Sequence, residues 1–166
     1  MKNFRINFLA HKDITKKDLI SILKFKDNIW SYGIESQFSW IKKNISNNDI
    51  HVYISQKKEI VAYANLIDGV STNLNNLVGI GNISVLEKFR GNGYGSILIK
   101  IILFYLKTQK KDAILICKKN LISFYMKNGF KVIKPLNLHL NFPVSDDNYV
   151  MANFISPQKV ELSKTF

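Results

Sequence analysis

Arg90-Gly91-Asn92-Gly93-Tyr94-Gly95 places three glycines in five residues between two apolar runs, Leu77 to Leu86 upstream and Ser96 to Leu106 downstream. The first run reads as a strand and the second as a helix. In that order a glycine turn aims main-chain amides at an anion, because the first amides of a helix lack internal partners and its dipole favours negative charge there. The stretch predicts a phosphate site. Arg90 and Arg5 are the chain's two arginines, with lysine at every other basic position apart from histidine, so the guanidinium beside the loop stands out as a selected group.

Upstream of this core, Phe4, Ile6 and Phe8 alternate with polar residues, which reads as a strand over residues 1–10 rather than the unbroken apolar centre of an export signal. Thr15 followed by Asp18 reads as a capping box opening a helix, with Leu19, Ile20, Ile22, Leu23 and Ile29 on its apolar face. Trp30-Ser31-Tyr32-Gly33 breaks it, and Glu35 to Ile45 reads as a second helix. His51 to Ser55 and Ile60 to Ile67 form a hairpin across Gln56 to Glu59. Downstream of a long helix read as buried, Ala113 to Cys117 is a strand reached by a crossover, so it runs parallel to the strand before the loop. A short helix over Leu121 to Asn128, a strand over Phe130 to Ile133, an irregular loop from Pro135 to Ser145 and a last strand over Tyr149 to Phe154 complete one domain, residues 1–155, with a tail over 156–166.

The chain has 166 residues, 46% of them hydrophobic and 22% charged, which suits a single folded core and excludes a wholly disordered protein. Cys117 is the sole cysteine; it excludes an internal disulfide and a cysteine-held zinc, and fits a reducing cytoplasm. Ile97 to Leu106 is far shorter than the roughly 20 residues of a membrane span. The net charge of +12 is spread over scattered lysine pairs without a dense basic tract, a pattern that reads first as a general composition bias, second as attraction of an anionic cofactor or substrate, and last as a nucleic-acid surface.

Val85 to Leu98, around the glycine turn, resembles the acetyl-CoA motif of the GCN5-related N-acetyltransferases. A second segment, Asn120, Phe124, Tyr125, Gly129 and Phe130, resembles the same family's later motif. The resemblance implies a mixed α/β fold with a central, mostly antiparallel sheet, a splayed parallel strand pair and about four flanking helices. It implies acetyl-CoA as cosubstrate and no metal. Arg90, Gly91, Asn92, Gly93, Tyr94, Gly95 and Ser96 would ring the diphosphate; Val85 and Leu86 would offer backbone groups to the pantetheine arm, with Asn120 adding a side-chain contact. Tyr125 would protonate the departing thiolate.

One part of the family pattern is missing. Many members carry a glutamate on the strand before the loop that deprotonates the amine, and Leu77 to Val85 contains no acid. By alternation Ile80, Asn82 and Ser84 share a face, so Asn82 and Ser84 could order a water there. His51, Asp68 and Glu35 are candidate bases on other elements. Trp30 and Tyr32, beside Gly33, fall where the family shapes its acceptor pocket; Asn137 to Asn148, with His139, Asp146 and Asp147, would form another wall. The expected reaction is acetyl transfer to the primary amine of a small, weakly basic acceptor, in a chain that leaves room for a homodimer. Its rivals are acetylation of a protein or peptide amine, and a non-catalytic module binding RNA or ribosomes.

Overall fold

The computed structural model of the chain describes residues 4–154 and 159–166. Residues 1–3 of the expected first strand, and 155–158 around the expected domain boundary, lie outside the described residues. In chain order the elements are β1 (Phe4–Ala10), α1 (Lys16–Trp30), α2 (Ile34–Asn44), β2 (Ile50–Gln56), β3 (Glu59–Ile67), β4 (Leu77–Val85), α3 (Tyr94–Thr108), β5 (Asp112–Lys118), α4 (Ile122–Lys127), β6 (Lys131–Val132), β7 (Leu138–Leu140), β8 (Asn148–Ala152) and β9 (Val160–Leu162). Among the described residues, seven strands pair in the order β1-β2-β3-β4-β5-β8-β6, and β7 pairs with β9 in a small second sheet. The large sheet is mostly antiparallel, with β4 and β5 as its parallel pair.

The chain divides into two compact units, Met1–Leu66 with Asn82–Leu98, and Ile67–Gly81 with Ile99–Phe166. In the first, Thr15 accepts a hydrogen bond from the Asp18 amide at 3.1 Å, which satisfies an orphan donor and starts α1 as the sequence predicts. Ile22, Leu23 and Phe25 of α1, Ile41 of α2, and Val52, Ile54, Val61, Ala62 and Tyr63 of the hairpin are buried. Lys57 and Lys58 both take positive φ (49° and 68°) in the two-residue turn between β2 and β3, the geometry whose twist matches the strands it joins.

In the second unit, β4 and β5 pair through three residues only: Leu77 with Asp112, Val78 with Ala113 and Gly79 with Ile114. Crossover helix α3 buries Leu98, Ile99, Ile102 and Leu106 but leaves Phe104 72% exposed, so the long apolar helix is amphipathic rather than enclosed. The expected irregular loop over Pro135 to Ser145 contains β7, which pairs in parallel with β9 from the tail. That pairing joins residues 22 positions apart, as in Leu138 with Val160, and leaves no local periodicity to read. The tail is tied further: Ser163 donates its amide to Val70 O at 2.9 Å, and Asn73 Nδ2 donates to Lys159 O at 2.7 Å. It ends with the Phe166 ring lying where a side chain at Gly79 would stand, with Cδ1 and Cδ2 each 2.8 Å from an added Cβ.

This contact makes a prediction. Gly79→Ala will lower unfolding stability by about 1 to 3 kcal/mol through overpacking, and the same substitution in a chain ending at Thr165 will cost much less. Denaturant melts of the four proteins in this cycle will show the coupling; equal costs in both backgrounds would exclude it.

Candidate active site

The glycine loop is held by its backbone. Gly91 and Gly93 have φ of 76° and 80°, left-handed values that strain any residue carrying a Cβ. Asn92 Nδ2 bridges the turn by donating to Phe89 O at 3.3 Å and Arg90 O at 3.1 Å. The first intrahelical bond of this stretch runs from Ile97 N to Gly93 O at 3.0 Å, so the amides of Tyr94, Gly95 and Ser96 precede the helical ladder and have no partner within it. Tyr94 is buried and meets Phe89 edge-on, ring centroids 5.8 Å apart, anchoring the helix start from inside. Arg90 is exposed and its Nε donates to Val85 O at 3.2 Å, which draws the guanidinium over the end of β4.

The end of β4 departs from simple alternation. Asn82 has φ of 52°, so the extended backbone is interrupted there and the expected common face of Ile80, Asn82 and Ser84 does not carry through. Ser84 Oγ donates back to Asn82 O at 3.0 Å, and Asn82 Nδ2 donates to Asn65 Oδ1 at 2.6 Å. Leu86 N donates to Val61 O at 3.0 Å, which commits that amide to β3.

Behind these residues the same unit holds a buried polar file. His51 is fully buried; its Nδ1 lies 2.7 Å from Tyr63 Oη and its Nε2 lies 2.9 Å from His11 Nδ1. Burial, then the positive charges of His11 and Lys26, push its pKa down to about 4. Asn65, also fully buried, leaves Nδ2 without a partner. Of the expected acceptor-side residues, Trp30 is the last residue of α1 and half-buried, while Tyr32 is 72% exposed on the link to α2. Asp68 accepts from Lys111 Nζ at 2.7 Å, and Glu35 lies in the first turn of α2, so each has structural work where it stands.

The second unit carries Tyr125 and Asn120. Tyr125 is 5% exposed on α4 and packs edge-on against Phe124 and Phe130, ring centroids 5.1 and 6.0 Å away. Burial, with a smaller contribution from Cys117, raises its pKa well above the phenol range. At neutral pH it is therefore a proton donor. Asn120 is exposed in the turn before α4. Among the described residues no group of three or more His, Cys, Asp or Glu side chains is placed to hold a metal, and no helix is long and apolar enough to cross a membrane.

A parallel strand pair that stops after three residues is followed, along the chain, by a left-handed glycine turn that opens helix α3. Comparison with known proteins carries this further: a family model described as an acetyltransferase (GNAT) domain matches residues 47–132, just over half of the chain, and the chain belongs to that family. Acetyl transfer from acetyl-CoA is its chemistry. Among solved structures, Escherichia coli ElaA is similar at 20% identity and a TM-score of 0.71, covering 92% of this chain and 100% of that one. The paiA N-acetyltransferase of Thermoplasma acidophilum, solved with coenzyme A, is similar at 15% identity, with a TM-score of 0.60 over 89% of this chain and 98% of that one. The ribosomal-protein-S18-alanine N-acetyltransferase of Escherichia coli matches at 14% identity and 0.62, over 96% and 97%. No protein of curated function matches the sequence.

Sequence reading missed the residues around Lys26, although a signal existed: Ile22, Lys26, Ile29 and Trp30 repeat at helical spacing, which puts the lysine on the apolar stripe of α1. The buried His51 gives a pH prediction. Its folded pKa is below its unfolded value, so the unfolded chain binds the extra proton, and stability is complete above about pH 6.5 and lost as pH falls toward 4. The loss by pH 4 is about 3 kcal/mol. Chemical denaturation from pH 7 to 4 will show it, and His51→Asn will flatten the slope; an unchanged slope in the variant would assign the loss elsewhere.

Proposed function

We propose that this acetyltransferase acts on the primary amine of a small, weakly basic acceptor, such as an amino sugar or a nucleotide-linked amine, by direct attack within a ternary complex. The observation that carries this reading is the absence of any acid on β4: Leu77–Val85 contains no carboxylate. Deprotonating an amine of pKa near 10.4 at pH 7 costs about 4 to 5 kcal/mol, at about 1.36 kcal/mol per unit. A less basic amine largely removes that cost. The net charge of +12 adds to this by repelling polyamines and drawing anionic acceptors.

In this reading Arg90 and the backbone from Gly91 to Ser96 grip the diphosphate, Asn120 contacts the pantetheine arm, and the Val85 amide meets the oxyanion of the tetrahedral intermediate. Tyr125 donates its proton to the thiolate as the carbon–sulfur bond breaks. Its raised pKa keeps it protonated across the working range, a role typically worth about 10² to 10⁴ in rate. Tyr125→Phe will therefore lower kcat by about a hundredfold or more and leave the KM for acetyl-CoA within about threefold. Steady-state kinetics will read this, and an unchanged kcat would remove Tyr125 from the chemistry.

A second reading is acetylation of a peptide α-amine. An α-amino group with a pKa of about 7.7 to 8.0 also needs little deprotonation, so the missing acid excludes lysine more firmly than it excludes an N-terminus. A thiol-release assay with acetyl-CoA over amino sugars, nucleotide sugars, amino acids, peptides and polyamines separates the two. We expect turnover with amino sugars or nucleotide-linked amines and none with polyamines; turnover confined to peptides would overturn the acceptor class.

A further inference from the structure

The hairpin of α1 and α2 carries a charged group that acetyl transfer as described does not use. Lys26 is 1% exposed, yet among the described residues no carboxylate lies within ion-pair distance of it. Its Nζ sits over two indole rings, 3.9 Å from the centroid of Trp40 and 5.7 Å from that of Trp30. Rings return only part of the hydration that a buried ammonium gives up. Gln37 stands on α2 three residues before Trp40 and one turn before buried Ile41; it is 3% exposed, and its Nε2 has no partner. The acid that follows Lys26 on α1, Asp27, accepts the Gly33 amide at 2.7 Å. Two adjoining helices thus bury a cation and an amide donor without supplying an acceptor for either, an arrangement that an anionic oxygen group would complete.

We infer that Lys26 and Gln37 form an anion site that takes the carboxylate or phosphate of the acceptor amine, with Trp30 and Trp40 as its walls. Both tryptophans are half-buried, and Trp30 stands two positions from the exposed Tyr32, so the rings over the ammonium reach the protein surface. The assignment to the acceptor rests on the proposed small-molecule acetyltransferase activity; the anion site itself does not.

The protein supplies its own reporter, because Trp30 and Trp40 are its two tryptophans. Intrinsic fluorescence of the full chain will be titrated with inorganic phosphate, acetate and, as acceptor-like probes, glucosamine 6-phosphate against glucosamine and glycine against glycinamide, at constant ionic strength set with sodium chloride. We expect a saturable change with the phosphate-bearing or the carboxylate-bearing probe, and a half-saturation point at least tenfold higher in Lys26→Met. Gln37→Leu, which removes the second donor while Lys26 stays, will raise it several-fold, and circular dichroism will confirm that each variant is folded. If Lys26→Met does not fold, Gln37→Leu carries the test. A flat signal with every anion, or equal responses in wild type and a folded variant, overturns the site. Saturation without a higher kcat/KM for the anionic member of each acceptor pair overturns its assignment to the acceptor. Fluorescence saturation with no acetyl transfer to any amine would refute the proposed activity and leave the anion site standing.

Discussion

Left-handed backbone at Gly91 and Gly93 is the constraint on which the turn into α3 depends. An added Cβ at either glycine would meet no atom within 4 Å, so the requirement comes from the main chain and not from crowding. With φ near 80° the loop reverses sharply after the short turn at Glu87–Phe89 and delivers three amides ahead of the first helical hydrogen bond. Residues with a Cβ would be strained at both positions. The turn is further held by side chains that do not touch its anion-facing edge: Asn92 bonds backward to Phe89 and Arg90, and Tyr94 packs inward on Phe89. In the proposed role, a loop fixed in this way would meet an anion without first losing conformational freedom to do so.

Much of this was readable from the sequence because it is local. The Thr15 cap, the break after Trp30, the hairpin turn at Lys57 and Lys58 and the parallel relation of β4 and β5 each follow from spacings within a few residues or from the handedness of a crossover. What escaped reading is non-local or conformational. β7 exists because β9 reaches it from the end of the chain, and nothing in Leu138-His139-Leu140 announces a partner so far away. Asn82 looks like any strand residue until its positive φ interrupts the alternation on which its face was assigned. The Leu86 amide looks available until the fold joins it to Val61. Lys26 was hidden by its type, since lysine is read as a surface residue even when its spacing places it inside.

The first unit buries more polar chemistry than packing alone needs. His11, His51 and Tyr63 form a continuous file, and Asn65 and Asn82 form a second pair. Paired members of such a network offset much of their desolvation, whereas an unpaired donor keeps the full penalty. Asn65 Nδ2 and Gln37 Nε2 carry that penalty. Their burial sets them apart from the exposed Lys88–Glu59 ion pair, which can trade its partner for water at little cost.

The burial of His51 also bears on how the amine loses its proton. Both ring nitrogens lie within hydrogen-bond distance of partners, and the pKa of about 4 makes the imidazole a poor base at neutral pH. Taking a proton there would put a cation beside His11 and near Lys26, with no acid in the file to receive it. One of the three candidate replacements for the missing carboxylate is therefore held neutral by the fold. With His51 neutral, Asp68 engaged by Lys111 and Leu77–Val85 free of acids, none of these three places offers a ready base, and under the proposed reading the acceptor itself supplies the neutral amine. In that reading an acceptor whose amine is already largely unprotonated at pH 7 needs only to be positioned, and selection among amines would follow their basicity as well as their shape.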